Sequence, residues 1–131
     1  MVSHEAYYCY HAVNLEAQAA TASSVQLVLI LFDSLFDELT RIRSHIQNRR
    51  FECKGQSVNK CIDILNGLSS ALDLASNNEV VMKLARLYDH CICRLYQASA
   101  ELDSAAVDEV VQLLQTLKGG WVGIHDYYEQ H

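Results

Sequence analysis

The stretch from position 21 to 46, T-A-S-S-V-Q-L-V-L-I-L-F-D-S-L-F-D-E-L-T-R-I-R-S-H-I, decides the fold. Its apolar residues Val25, Val28, Phe32, Leu35, Leu39, Ile42 and Ile46 recur at alternating steps of three and four. That period puts them on one side of a helix, as a seam for packing against other helices. Ser23 followed by Gln26 has the spacing of a capping box and marks the start. At the rise of an α-helix the segment is about 35–40 Å long, the length of a small domain. No catalytic motif occurs in it.

Working outward, the same pattern returns three times. After a loop over 51–56, in which Gly55 suits a helix exit, a second helix is expected over 57–75 with Ser57 as N-cap. Its seam is Val58, Cys61, Leu65, Leu68, Leu72 and Ala75. Ser76-Asn77-Asn78 reads as a turn, because Asn tolerates the left-handed backbone and caps well. A third seam follows in Val81, Leu84, Tyr88, Cys91, Leu95, Ala98 and Leu102, ended by Asp103-Ser104. The fourth is Val107, Val110, Leu114, Leu117, Trp121 and Ile124, and Gly119-Gly120 is expected to end or fray it. Four seams joined by short polar turns predict an all-α, antiparallel up-and-down four-helix bundle. The bundle is assigned to residues 21–131 with a tail after about 124, and residues 1–20 to a mobile or short-helical segment lying on it. Phe32, Leu35, Leu72, Tyr88, Leu95 and Trp121 are assigned to its core.

Composition agrees with this. The 131 residues suffice for one core, half are apolar, a fifth are charged, and there is no proline to break a helix. The formal charge of −6 speaks against nucleic acid, whose phosphates an acidic surface repels. The one basic knot, Arg41, Arg43, Arg49 and Arg50, falls at the end of the first helix, where it complements the dipole. Five cysteines without framework spacing, no export signal and no apolar run long enough for a bilayer predict a cytoplasmic protein with reduced thiols.

Chemistry is absent where it is sought. Cys91 and Cys93 lack the gap of a zinc knuckle and split across helix faces, and His90 with Cys93 makes no full ligand set. Asp37-Glu38 and Asp108-Glu109 are accounted for by solvation and the helix dipole, and no base is aimed at a Cys or Ser. A phosphotransfer domain is the rival helical bundle. It needs a histidine three residues before Lys118-Gly119, and Gln115 stands there. The expectation is a non-enzyme without metal or cofactor. A helical-bundle adaptor or a phosphotransfer-like signalling domain with some other partner is the alternative.

The first helix is more apolar than its seam needs. With Val25 at heptad position a, Leu27 and Ile30 fall at c and f, away from the seam. An outward apolar patch is either covered by another part of the chain, residues 1–20 foremost, or kept for a partner.

The order of short motifs resembles the flagellar export chaperone FliS family. The matches are Thr21-Ala22-Ser23, Leu31-Phe32-Asp33, Leu68 with Leu72-Asp73, Leu87-Tyr88-Asp89, Arg94-Leu95 and the lone Trp121, over about residues 7–124. Spacing back from Leu31-Phe32-Asp33 makes Tyr10 the equivalent of the tyrosine the family places before this helix. The chain departs in Ser24 where the family has proline, in Asn77 and Asn78 where it has glycines, and in Gly119-Gly120 before the tryptophan. The resemblance implies a cytoplasmic chaperone for the disordered C-terminal segment of flagellin, which becomes helical on an apolar surface. It also implies prevention of premature polymerisation and contact with the export gate. Flagellin-contact candidates are Tyr7, Tyr10, Leu27 and Ile30. The protein is expected to be a monomer or weak homodimer, with no nucleic acid and no membrane insertion.

Overall fold

The computed structural model describes residues 24–72 and 78–130, apart from the side chains at 24, 124, 125 and 127–130. The segment over 1–20, with Tyr7 and Tyr10, lies outside them. Four helices follow in order: α1 Ser24–Gln47, α2 Phe51–Ser70, α3 Glu79–Glu101 and α4 Ser104–Gln130. Each packs on its sequence neighbour, and α1 packs on α4 to close the ring.

Side-chain pairs give the direction. Arg43 of α1 meets Asp108 of α4 at 3.1 Å, and Asp33 of α1 meets Lys118 of α4 at 2.7 Å. Moving toward the start of α1 therefore moves toward the end of α4, so the two run antiparallel. Lys54 Nζ, near the start of α2, donates to the Ser99 carbonyl near the end of α3 at 2.9 Å, which is the same relation. Arg94 of α3 reaches Glu109 of α4 at 3.0 Å. The all-α four-helix bundle expected from the seams is the fold observed.

The turns are sharper than the sequence suggests. After α1, Arg49 takes the left-handed conformation at φ 59. Arg50 N–H donates back to the His45 carbonyl at 2.8 Å and Arg49 N–H to that of Ile46 at 3.3 Å. This is a Schellman ending built without glycine. The loop expected over 51–56 is thus helix: α2 begins at Phe51, and Gly55 lies inside it. α3 ends in the same way, with Leu102 at φ 55 and Asp103 N–H bonded to the Ala98 carbonyl at 2.9 Å. Asp103 then caps α4, its Oδ1 accepting from the N–H groups of Ala105 and Ala106 at 3.0 and 3.2 Å. Asn78 caps α3 through Val80 N–H at 2.8 Å.

A side chain in the left-handed region costs about 1–2 kcal/mol, which glycine does not incur. Arg49→Gly is therefore expected to stabilise the bundle by about 1 kcal/mol in urea denaturation. A loss of stability would show that the arginine side chain holds the turn.

The expected end of the last helix at Gly119-Gly120 is also corrected, since α4 continues through both to Gln130. Glycine there costs about 1 kcal/mol per residue relative to alanine. Leu117 before the pair and Trp121 after it both pack against the core, and that burial carries the helix through.

The core is one cluster, and four of the six residues assigned to it, Phe32, Leu35, Tyr88 and Leu95, are fully buried. Leu72 and Trp121 are corrected: they are only partly buried and pack against its edge. Glu38 is the charged member of the interior. Its Oε1 meets Arg41 Nη1 at 2.6 Å and Lys60 Nζ at 3.8 Å, while Oε2 has no hydrogen-bond partner. Burial lowers the Lys60 pKa, with Glu38 opposing.

Candidate functional site

Burial along each seam fades toward one end of the bundle. In α1, Phe32 through Ile46 are buried, whereas Val25 and Val28 are only partly so. In α2 the buried run stops at Leu68 and Leu72 is partly exposed. In α3, Val81 and Leu84 are partly exposed and full burial begins at Tyr88. In α4 it stops at Leu114, with Leu117 and Trp121 partly exposed. The antiparallel order gathers the start of α1, the end of α2, the start of α3 and the end of α4 at the same end. Apolar seam residues therefore outrun the packed core there.

Between them lies a cavity of about 290 Å³. α1 contributes Val25, Leu27, Val28 and Leu31, the end of α2 contributes Gly67 and Leu68, and the two residues described after it add Ala71 and Leu72. Tyr88 and Trp121 complete the lining. No charged side chain belongs to it. Gly67 leaves one wall bare, since a Cβ added there meets nothing within 4 Å. The volume suits one or two large apolar side chains of a partner, not a whole helix. Lys118 stands beside this end, bonded to Asp33 and 5.7 Å from the Phe36 ring.

Of the sequence-stated contacts, Leu27 is partly buried and lines the cavity, and Ile30 is partly buried without lining it. Tyr7 and Tyr10 lie outside the described residues. Composition and spacing did not point to Val25, Val28, Leu31, Leu72 or Trp121 as lining. Val25, Val28, Leu72 and Trp121 are seam residues by period, Leu31 lies beside the seam, and only the relative lengths of four seams reveal which ones overhang.

Tyr88 differs from its neighbours. It is fully buried, and its hydroxyl has no hydrogen-bond partner among the described residues. Burial raises its pKa and the Trp121 side chain opposes that in part, but the pair does not reach hydrogen-bond geometry. The phenol is therefore neutral at physiological pH.

Three of the four arginines of the basic knot are engaged internally. Arg41 pairs with Glu38, Arg43 with Asp108, and Arg50 Nε donates to His45 Nδ1 at 3.0 Å. Among the described residues no three of His, Cys, Asp and Glu gather where a metal ion would fit. No described helix is long and apolar enough to cross a membrane. Burial pushes the Cys91 thiol up to about 11, and the Cys61 thiol higher still, with Glu38 adding to the effect. Both are unreactive thiols at neutral pH. Iodoacetamide at pH 7.5 is expected to modify exposed Cys93 fast and half-buried Cys53 more slowly. Peptide mapping that found Cys61 or Cys91 alkylated before denaturation would contradict the packing of α2 and α3.

The sequence matches the family described as flagellar protein FliS over residues 6–127. The chain belongs to the FliS family. Flagellar secretion chaperone FliSB of Pseudomonas aeruginosa is 35% identical over 115 residues, which is 88% of this chain and 91% of the relative. Flagellar secretion chaperone FliS of Salmonella typhimurium is 35% identical over 113 residues, 86% and 84% of the two chains. Its namesake in Vibrio cholerae is 25% identical over 119 residues, 91% and 88%. FliS membership places the chain among flagellar chaperones and not among enzymes.

The FliS motifs now have physical content. In Leu31-Phe32-Asp33, Leu31 lines the cavity, Phe32 fills the core and Asp33 ties α1 to α4 through Lys118. In Arg94-Leu95, Arg94 ties α3 to α4 through Glu109 and Leu95 is core.

Proposed function

We propose that this FliS-family chain is a cytoplasmic chaperone of flagellin. Its open end takes the C-terminal segment of flagellin, which becomes helical as it lies down. Apolar side chains of that segment enter the cavity between α1 and α2. The engaged segment is then withheld from premature polymerisation, and the subunit is held for the export gate. The observation that supports this reading is the fading of burial at one end of all four seams, where Val25, Val28, Leu72 and Trp121 line an uncharged cavity. The names of the relatives supply the flagellar secretion context.

Leu27, Ile30, Tyr7 and Tyr10 are the proposed contacts. Leu27 from α1 and Gly67 from α2 leave an apolar side chain and a bare backbone for the partner to approach closely. Residues 1–20 are proposed to shield the same surface in the free protein and to shift when the segment arrives. The chain works as a monomer or weak homodimer, and its acidity keeps nucleic acid away.

A pull-down from the native cell tests the reading against a general helical adaptor. The expected result is flagellin enriched with the full chain, and no enrichment of a flagellin lacking its C-terminal segment. Another protein enriched with flagellin absent would establish the adaptor instead.

A further inference from the structure

We infer that the end of the bundle opposite the cavity is a self-association face whose occupant is a second copy of this chain. This gives the weak homodimer its contact surface, whether or not flagellin binds the other end.

The cavity end gathers the starts of α1 and α3 with the ends of α2 and α4, so the opposite end gathers the two left-handed turns at Arg49 and Leu102. Phe51, Tyr96 and Leu102 are exposed there by 44, 52 and 42%. One side chain ties them together: Lys54 Nζ donates to the Ser99 carbonyl at 2.9 Å and stands 5.8 Å from the Phe51 ring centroid. Tyr96 lies three residues before Ser99, on the same helix face, and Leu102 is the cap just beyond α3. Apolar side chains grouped across two helices, unlike single scattered ones, mark a contact surface.

Charge selects the occupant. Arg49 stands in the turn before Phe51, Glu52 follows it, and Glu101 adjoins Leu102. All three are exposed and form no ion pair among the described residues, whereas Arg43, Arg50 and Lys54 are engaged. A rim of both signs opposes any strongly acidic or strongly basic partner in part. Turned about a two-fold axis, the same rim can set Arg49 of one copy against the carboxylates of the other, twice over. Three side chains bury far less than the roughly 800 Å² per partner of a stable interface, so the pair is transient. Joined at these ends, two copies keep their cavities at opposite extremes, and both stay open.

Sedimentation equilibrium of the full chain is expected to show reversible association that stops at the dimer, because a two-fold face closes on itself. Leu102→Asn, which suits the left-handed backbone, and Phe51→Ser are each expected to weaken it about tenfold, with helix content unchanged by circular dichroism. Charge exchange separates specific pairing from general stickiness. Arg49→Glu, and Glu52→Arg combined with Glu101→Arg, should each dimerise about threefold more weakly than the parent, since each sets like charges together. Mixed in equal amounts, those two chains should pair with one another as tightly as the parent does with itself, because both contacts are then attractive. A monomer at every concentration, growth beyond the dimer, or a dimer indifferent to Leu102→Asn and Phe51→Ser overturns the inference. A mixture that pairs no better than its components overturns it too.

Discussion

Phe32→Ala and Leu65→Ala are each expected to lower the unfolding free energy by about 3–5 kcal/mol. Both side chains are fully buried members of the core cluster. Packing at that depth cannot collapse around the gap, so the lost transfer energy and the cavity add. Leu72→Ala removes the same kind of atoms from a side chain that is only partly buried at the cavity edge. Its loss should stay near 1 kcal/mol. Urea denaturation of the three variants checks the contrast. A Leu72→Ala as damaging as Leu65→Ala would mean that the end of the bundle is packed and not open.

The second large effect is on binding. Leu27→Asp puts a carboxylate on the apolar wall of α1 where the flagellin segment is proposed to lie. Burying that charge without a partner weakens association by at least 3 kcal/mol, or more than about a hundredfold. In the free protein Leu27 is only partly buried, so its carboxylate keeps access to water. The stability loss should therefore be well below that of Phe32→Ala. Comparable losses would place Leu27 in the framework and withdraw it as a contact. Normal affinity would move the binding surface elsewhere.

Much of the bundle was legible in the sequence, because each seam repeats at steps of three and four and burial follows that repeat. Phe32, Leu35, Leu39 and Ile42 are all inside, as the period requires. Boundaries were read through glycine, and there the reading slipped. The exit from α1 is made by Arg49, whose type carries no left-handed signal, while Gly55 is an ordinary helical residue. Gly119-Gly120 misled for the opposite reason: neighbouring contacts of Leu117 and Trp121 outweigh a local preference of about 1 kcal/mol per residue.

The candidate site was legible only in part. An excess of apolar residues at the start of α1 marked Leu27. Its facing wall, Gly67 to Leu72, looks like any helix end until the antiparallel register brings it opposite. Tyr88 reads as core by period, which it is, and nothing in its spacing tells that its hydroxyl is unpartnered. Such facts depend on where four helices stop relative to one another, and no single window of sequence contains that.

Calorimetry of the full chain with a flagellin C-terminal peptide, repeated at several temperatures and two salt concentrations, tests the central claim most directly. Burial of the segment's apolar side chains in and around an uncharged cavity carries a negative heat-capacity change, and ordering of the segment adds an unfavourable entropy. Screening has little to act on there, so affinity should barely change with salt. The expected result is a clearly negative heat-capacity change at near-constant affinity across the two salts. A heat-capacity change near zero, or affinity that collapses at the higher salt, would contradict an apolar groove as the place where flagellin is held.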